Sequence, residues 1–597
     1  MKKPEATLLT LRWLFLGLVL ATTAAGMSRL WNLLRIDGMS LLEGLYLVLV
    51  AILFTWISAS FWLAALGAYA SWRGIADSTL RWPDRRSMTT PPRARTALLC
   101  PVRNEETRRI VAGIETIAAS IREAGEGDYF DFFILSDSND PERILAETMS
   151  WQDMQEGDGP HIYYRHREDN SGKKAGNIAE FCRNWGAHYD YMVVLDADSL
   201  MTGETLASLV ALMEENPRAA LIQVAPQLVG RDSLFARIQQ FSSSVYGPLY
   251  ATGLSLLQGP GGNYWGHNAI IRIQPFMEHC GLPELKGRAP LGGEILSHDF
   301  VEAALLRRAG WRLHLVTELT GSYEEPPPTL IDHLIRDRRW CQGNLQHMQL
   351  IFGQGFTTES RGHFLNGVMS YLSSPLWFAM LIVSVFVIVD QPDIAPVTYV
   401  GRYPVLALGT SHVFDFVALV AAMVLLLYGP KLFALALLLK DREARKAHGG
   451  GIRASLSVLL EAIFSTLLAP ISMLSQSAFV VRILMGETQG WGAQFRDERR
   501  VRTLTIARAF WVHTLIGLCA GAAIYVFLPG TIWWFTPLLV GPILSIPLVR
   551  LTSSVNAGIA ARRLGLFLSP SETGRIPIAE ALRARLEAPA ALGQLQK

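Results

Sequence analysis

Apolar residues in this chain gather in two blocks, separated by a long segment in which they come only in short runs. Residues 9–27 and 43–69 are continuous apolar stretches, each long enough for the ~20 residues that a membrane-spanning helix needs. No further stretch of that kind begins before 365, after which they follow at 365–389, 412–438, 455–484, 507–528 and 531–550. Between the blocks, short apolar runs end in polar residues and alternate with segments of helical period, which predicts an α/β domain. Strands are expected to start at Thr96, Phe132, His161 and Tyr191. The last of these, Tyr191 to Leu195, runs into Asp196 and Asp198. Ligands of such sheets bind beyond the carboxyl ends of the strands, so this acid pair stands where a ligand would.

The mean hydropathy of +0.24 over 597 residues is high for a soluble protein, and the excess lies in the two blocks. A second span close behind the first, without a small-residue cleavage site, makes residues 9–27 an uncleaved anchor rather than a signal peptide. A net charge of +2 gives no reason to expect nucleic acid as a partner. Its distribution does orient the chain. Lys2, Lys3 and Arg12, then Arg73, Arg81, Arg85, Arg86, Arg93 and Arg95, then Lys440, Arg442, Arg445 and Lys446, then Arg496, Arg499, Arg500 and Arg502, then Arg562 and Arg563 should all face the cytosol. An even number of crossings follows, about eight, with 455–484 a hairpin, a re-entrant pair or an interfacial helix broken near Pro470. Residues 487–502 carry Trp491 and Phe495 among arginines and are read as an interfacial segment, in sharper form a gate over the active site. Cys100, Cys182, Cys280 and Cys341 fall in the cytosolic segment and Cys519 in a span, so neither disulfides nor a zinc site is expected.

Several residues carry candidate chemistry. An Asp-x-Asp pair supplies hard oxygen ligands for Mg²⁺ or Mn²⁺, although taken alone Asp196 and Asp198 read more readily as surface or capping acids. Gly172-Lys-Lys-Ala-Gly-Asn177 opens a helix, and lysines beside glycines there suit a phosphate; a solvated basic turn is the alternative, and the P-loop pattern is absent. Asp137 ends the second strand as an acceptor for a base or ribose, or as a turn residue. Asn104 and Glu105 lie after the first strand and cap a helix in the plainer reading. Tyr323-Glu-Glu-Pro-Pro-Pro328 reads as a rigid turn.

Taken in order, these residues resemble the family 2 glycosyltransferases, and in particular the membrane-integrated processive synthases. Closer still are the glucosyltransferases that build osmoregulated periplasmic glucans, on the strength of Cys100-Pro-Val-Arg-Asn-Glu, Leu135-Ser-Asp-Ser, Gly262-Asn-Tyr-Trp-Gly-His-Asn-Ala269, Leu296-Ser-His-Asp-Phe300 and Arg336-Asp-Arg-Arg-Trp-Cys-Gln-Gly-Asn344. The resemblance implies an α/β GT-A fold, that of nucleotide-diphospho-sugar transferases, in a cytosolic domain inserted in a polytopic α-helical membrane domain. The expected divisions are 1–72 with two spans, 73–360 catalytic, 361–552 with about six helices, and 553–597 a cytosolic tail that is either a partner helix or frayed.

The family's roles map onto single positions. Asp137 would contact the uracil, Lys174 with Ala175 and Gly176 the diphosphate, and Asp196 and Asp198 the metal, Mg²⁺ or Mn²⁺. Asp299 aligns with the general base. Its neighbour His298 is expected to point away as part of the surrounding shell. Arg339 and Trp340 match the acceptor-side Gln-x-x-Arg-Trp motif, with Arg336 where the family has Gln. Trp265 and Gly266 are placed beside the acceptor sugar. The implied donor is UDP-glucose, the acceptor a growing glucan, and the further partners the bilayer and a periplasmic glucan-processing protein. A cellulose-, chitin- or hyaluronan-type synthase and a nucleotide-regulated transporter are the rival readings.

Overall fold

The computed structural model describes residues 4–35, 38–77, 79–83, 94–154, 160–390, 397–400, 403–406, 412–488, 501–528, 531–574 and 576–587. The Pro/Arg linker at 84–92 and the heart of the 487–502 segment, with Trp491 and Phe495, lie outside the described residues.

A seven-stranded sheet organises the segment between the two membrane blocks. Its strands are β1 (Thr96–Val102), β2 (Phe130–Ser136), β3 (Ile162–His166), β4 (Tyr191–Val194), β6 (Ala219–Val224), β8 (Ala269–Arg272) and β9 (Arg312–Val316), in the order β3-β2-β1-β4-β8-β6-β9. The strands from β3 to β4 are parallel, and β8 runs antiparallel to both β4 and β6. This is the GT-A mixed sheet. A smaller sheet joins β5 (Leu200–Met201), β10 (Ser322–Glu324) and β7 (Gln227–Leu228) in the order β5-β10-β7.

The run Thr96-Ala-Leu-Leu-Cys is apolar throughout because both faces of the central strands are covered. Leu98 and Cys100 pack with Ile110, Ile114 and Ile117 of the Thr107–Glu123 helix, while Ala97 and Leu99 pack on the opposite face with Ile178 and Phe181 of the Lys173–Trp185 helix. Burial on alternate faces is the two-residue period of a strand. It leaves only the carboxyl ends of β1, β2 and β4 open, and those ends deliver the candidate residues.

Among the described residues six helices are long and apolar enough to cross a membrane, or seven if the bent pair Ile532–Ile543 and Ser545–Thr552 counts as one span. The chain is a membrane protein on this ground. The Leu41–Arg73 helix starts at a capping box in which Ser40 and Glu43 satisfy one another's backbone N–H. It crosses the Leu234–Gln258 helix at two glycines: a Cβ on Gly67 would lie 1.9 Å from the Leu249 carbonyl oxygen, and one on Gly253 would lie 2.3 Å from that of Leu63. Only glycine permits so close a backbone approach.

Residues 451–484 depart from the hairpin and from the break expected at Pro470. They form one continuous helix, Gly451–Leu484, with Pro470 inside it. Its first turns pack Ala454 and Val458 against Leu234, Ile238 and Phe241, and its last turns pack Val480 and Ile483 against Cys341 and Leu345. Gln476 also donates to the Asp337 carboxylate over 2.8 Å. Both ends therefore return to elements of the same α/β segment.

The C-terminal portion is docked through residue 587. Arg237, fully buried, is paired with Glu572. The Pro577–Glu587 helix lies along Thr107–Glu123, burying Ile578, with Arg585 2.8 Å from Glu115.

Candidate active site

The carboxyl end of β2 delivers Asp137 into a fully paired setting. Its backbone N–H donates to the Val102 carbonyl over 2.8 Å, and its carboxylate is gripped at both oxygens by Arg167, with Nη2 to Oδ2 at 2.8 Å. Both side chains are 6% exposed. Arg167 reaches on to the carbonyl oxygen of Lys173 over 2.7 Å, which ties this corner to the start of the next helix. Gly172, at φ 66°, caps that helix. Gly176 sits where a Cβ would be 2.1 Å from the Ser171 carbonyl oxygen, so the Lys-Ala-Gly element needs its glycine for packing.

Lys174 spans the cleft. Its ammonium donates to Asp196 and, over 2.9 Å, to the carbonyl oxygen of Gly266. Asp196 follows β4 in a turn fixed by Leu195 N–H on the Leu99 carbonyl at 2.8 Å and by Asp196 N–H on the Ser199 hydroxyl at 2.9 Å. Asp198 stands two residues further in the same turn. Among the described residues no group of three or more His, Cys, Asp or Glu side chains is arranged to hold a metal. The Asp196–Asp198 pair nevertheless fits Mg²⁺, which takes one or two carboxylates and fills its shell with water and phosphate oxygens.

The Gly262–Asn268 loop walls the other side. Its Trp265 N–H donates to Gln223 over 3.0 Å. Gly266, at φ 87°, lies so near Asp299 that a Cβ there would be 3.3 Å from Oδ2. Asp299 is in the first turn of the His298–Arg308 helix, whose N-cap is Ser297, and its carboxylate accepts from the Phe300 backbone N–H. Burial pushes the Asp299 pKa above the usual carboxylate range. Lys174, Asp196, Gly266 and Asp299 are thus brought into one contiguous group, with Asp137 one arginine away.

The Leu330–Gln346 helix carries Arg336, Arg339 and Trp340. The Arg336 guanidinium stacks 4.5 Å from the centre of the Trp340 ring, and Trp340 is 50% exposed. The residue standing where the family has Gln therefore covers one face of the acceptor-side tryptophan. The same helix turns Asp337 toward the membrane helices, where it accepts from Tyr371 at 2.9 Å.

Two features were missed in the sequence. Tyr323-Glu324 is not part of a turn but the end of strand β10, and it sets Glu324 3.4 Å from His267. Burial raises the Glu324 pKa, His267 opposes the shift, and Asp198 and Asp196 add to it; a third carboxylate thus borders the Asp-x-Asp turn. His298 is buried with its Nδ1 3.0 Å from Glu302. Neither pairing has a local sequence signature beyond the i,i+4 spacing of His298 and Glu302.

Residues 98–280 match the profile described as Glycosyl transferase family 2, and residues 191–438 that described as Glycosyl transferase family group 2. Among curated proteins the chain is 43% identical to glucans biosynthesis glucosyltransferase H of Cupriavidus pinatubonensis, over 94% of this chain and 65% of that protein. It is 43% identical to the protein of the same name from Xanthomonas euvesicatoria pv. vesicatoria, over 94% of this chain and 87% of that one. A third, from Pseudomonas putida, is 43% identical over 88% of this chain and 62% of its own length. The chain thus spans less than two thirds of the Cupriavidus and Pseudomonas relatives and most of the Xanthomonas one. With a GT-A sheet, apolar helices on both sides of it and this identity along nearly all its length, the chain belongs to the glucans biosynthesis glucosyltransferase H family of family 2 glycosyltransferases.

Proposed function

We propose that this protein transfers glucose from UDP-glucose, with inversion, onto the growing backbone of an osmoregulated periplasmic glucan. The catalytic segment, about residues 73–360, faces the cytosol. The spans on either side pass the chain outward to a periplasmic glucan-processing protein. The observation that carries this reading is the contiguity of Lys174, Asp196, Gly266 and Asp299 at the open end of the sheet.

Transfer needs charge to be neutralised on a departing diphosphate and a proton to be taken from an attacking hydroxyl. Lys174 and Arg339 supply fixed positive charge on the leaving side. Asp196 and Asp198 hold Mg²⁺, which when bound acts as a Lewis acid toward the diphosphate. Asp137, with Arg167, frames the uracil end. Asp299 accepts the acceptor hydroxyl proton as that oxygen attacks the anomeric carbon, and the bond to the diphosphate breaks on the opposite face. One displacement turns an α-linked donor into a β-glycoside. Gly266, lacking a side chain, leaves room for the sugar between Lys174 and Asp299, while Trp265 and Trp340 offer flat faces to the acceptor. A raised Asp299 pKa suits the role, because a base nearer neutrality takes a proton more readily than an ordinary carboxylate.

The test is UDP release by the purified protein in nanodiscs with Mg²⁺ and glucan acceptor, comparing UDP-glucose, UDP-GlcNAc and UDP-galactose. Glucose-selective release that disappears in Asp299→Asn is the expected result. Release from no donor by folded protein overturns the proposal.

A further inference from the structure

The Leu330–Gln346 helix carries two stripes side by side. At the helical spacing i, i+4, i+7, Arg336, Trp340 and Gly343 share one stripe, and Asp337, Cys341 and Asn344 share the next. Along the first, Arg336 stacks on Trp340. One turn on, a Cβ at Gly343 would meet the hydroxyl and backbone nitrogen of Ser297, the cap of the helix that holds Asp299. The second stripe faces the membrane block. Cys341, fully buried, packs with Tyr371, Val480 and Ile483, and a Cβ at Gly367 would meet the side-chain oxygen of Asn344.

Asp337 is the charged member of that contact, and it is 7% exposed. Both of its carboxylate oxygens are taken: Oδ1 accepts from the Tyr371 hydroxyl over 2.9 Å, and Oδ2 from the Gln476 amide over 2.8 Å. The Gln476 amide oxygen accepts in turn from the Ser374 hydroxyl over 2.6 Å. Tyr371 and Ser374 are one turn apart on the Thr358–Asp390 helix, and Gln476 belongs to the Gly451–Leu484 helix. One carboxylate thus ties the acceptor-side helix to two long apolar helices. Apolar packing is non-directional and would let the helix turn or slide. Three hydrogen bonds of fixed geometry allow one rotation and one register. Lys174 and Asp196, bonded to each other on other elements, take part in none of them.

We propose that Asp337 is a positioning residue: through Tyr371, Gln476 and Ser374 it fixes Arg336 and Trp340 relative to the membrane helices, so that those helices set where the acceptor sits. The inference rests on Trp340 lying on the acceptor side of a glycosyltransferase.

The test is the split between acceptor and donor kinetics in nanodiscs, with glucan chains made by the wild-type protein as the acceptor. Asp337→Leu removes the carboxylate at similar size, and KM for the acceptor should rise by about tenfold while KM for UDP-glucose stays unchanged. Asp337→Asn combined with Gln476→Glu exchanges donor and acceptor. The new amide donates to the new carboxylate, which still accepts from Ser374, and the amide oxygen still accepts from Tyr371. All three bonds are kept, so acceptor KM should return to near the wild-type value. Tyr371→Phe deletes one bond alone and should raise acceptor KM by about threefold; it decides the matter if Asp337→Leu does not fold, as judged by UDP binding. An unchanged acceptor KM in a folded variant, or a rise in donor and acceptor KM together, overturns the proposal. So does a folded double variant that fails to recover. A wild-type protein that releases no UDP fails the glycosyltransferase reading instead, before any variant is compared.

Discussion

The two sides of the cleft treat their carboxylates in opposite ways. On one side two acids are already held by cations: Asp137 by Arg167 at 6% exposure, and Asp196 by Lys174. Across the cleft Asp299 has no such ion pair among the described residues, and desolvation raises its pKa against the opposing His298 imidazole, the Phe300 backbone N–H and Lys174. A pocket for a diphosphate needs positive groups held in place before the ligand arrives, and carboxylates are what hold them when it is absent. A general base must instead be left unclaimed so that it can bind a proton. On the proposed reaction, the difference separates acids that hold charge in place from the one left to accept a proton.

Substitutions sharpen this contrast or break it. Asp299→Asn should lower kcat for UDP release by about 10²–10⁴-fold while leaving UDP affinity intact; a loss of UDP affinity instead would put Asp299 on the donor side. Arg167→Met leaves Asp137 buried and unpaired, which should cost about 3–5 kcal/mol in unfolding of the purified protein. Unfolding at the wild-type midpoint would mean that Asp137 does not need its arginine. Lys174→Met should reduce turnover by about 10²–10³-fold, the cost of losing one fixed charge at a developing anion, read in steady-state kinetics at saturating Mg²⁺. The smallest effect belongs to Arg336→Gln, which restores the family's usual residue and removes a half-exposed stacking contact with Trp340. A change in acceptor KM of about fivefold or less is expected, since such contacts are worth about 0.5–1 kcal/mol.

The central sheet and the order of its polar ends could be read in advance because each lies within one strand and its turn. Asp137, Asp196 and the Gly172–Asn177 element are all placed by local apolar runs that stop where the sheet stops. The pairing of Glu324 with His267 could not be, since it depends on β10 leaving the main sheet to pair with β5 and β7. Tyr323-Glu-Glu before three prolines looks like a turn until that second sheet is known. The Gly451–Leu484 helix was misjudged for a physical reason: proline was read as a break, but surrounding helices can accommodate the lost backbone bond in an apolar setting. His298 is buried with its Nδ1 3.0 Å from Glu302, and nothing in Ser-His-Asp alone says that Glu302 will lie beside it.

The docking of the last described helix bears on how the protein is made. Arg585 meets Glu115 and the Leu586 carbonyl meets Arg108, contacts between residues 470 and 478 positions apart. Arg237, early in the helix that crosses beneath Gly67, waits in the same way for Glu572. During synthesis the sheet emerges and can close on its own apolar faces long before these partners exist. The Thr107–Glu123 helix therefore keeps an uncovered apolar strip, and Arg237 a buried charge without its carboxylate, until residues 572–587 have left the ribosome. Emergence of residues 572–587 is in effect a latch of assembly, and chains truncated before residue 570 should be recognised by the cell as unfinished, whatever the state of their active site.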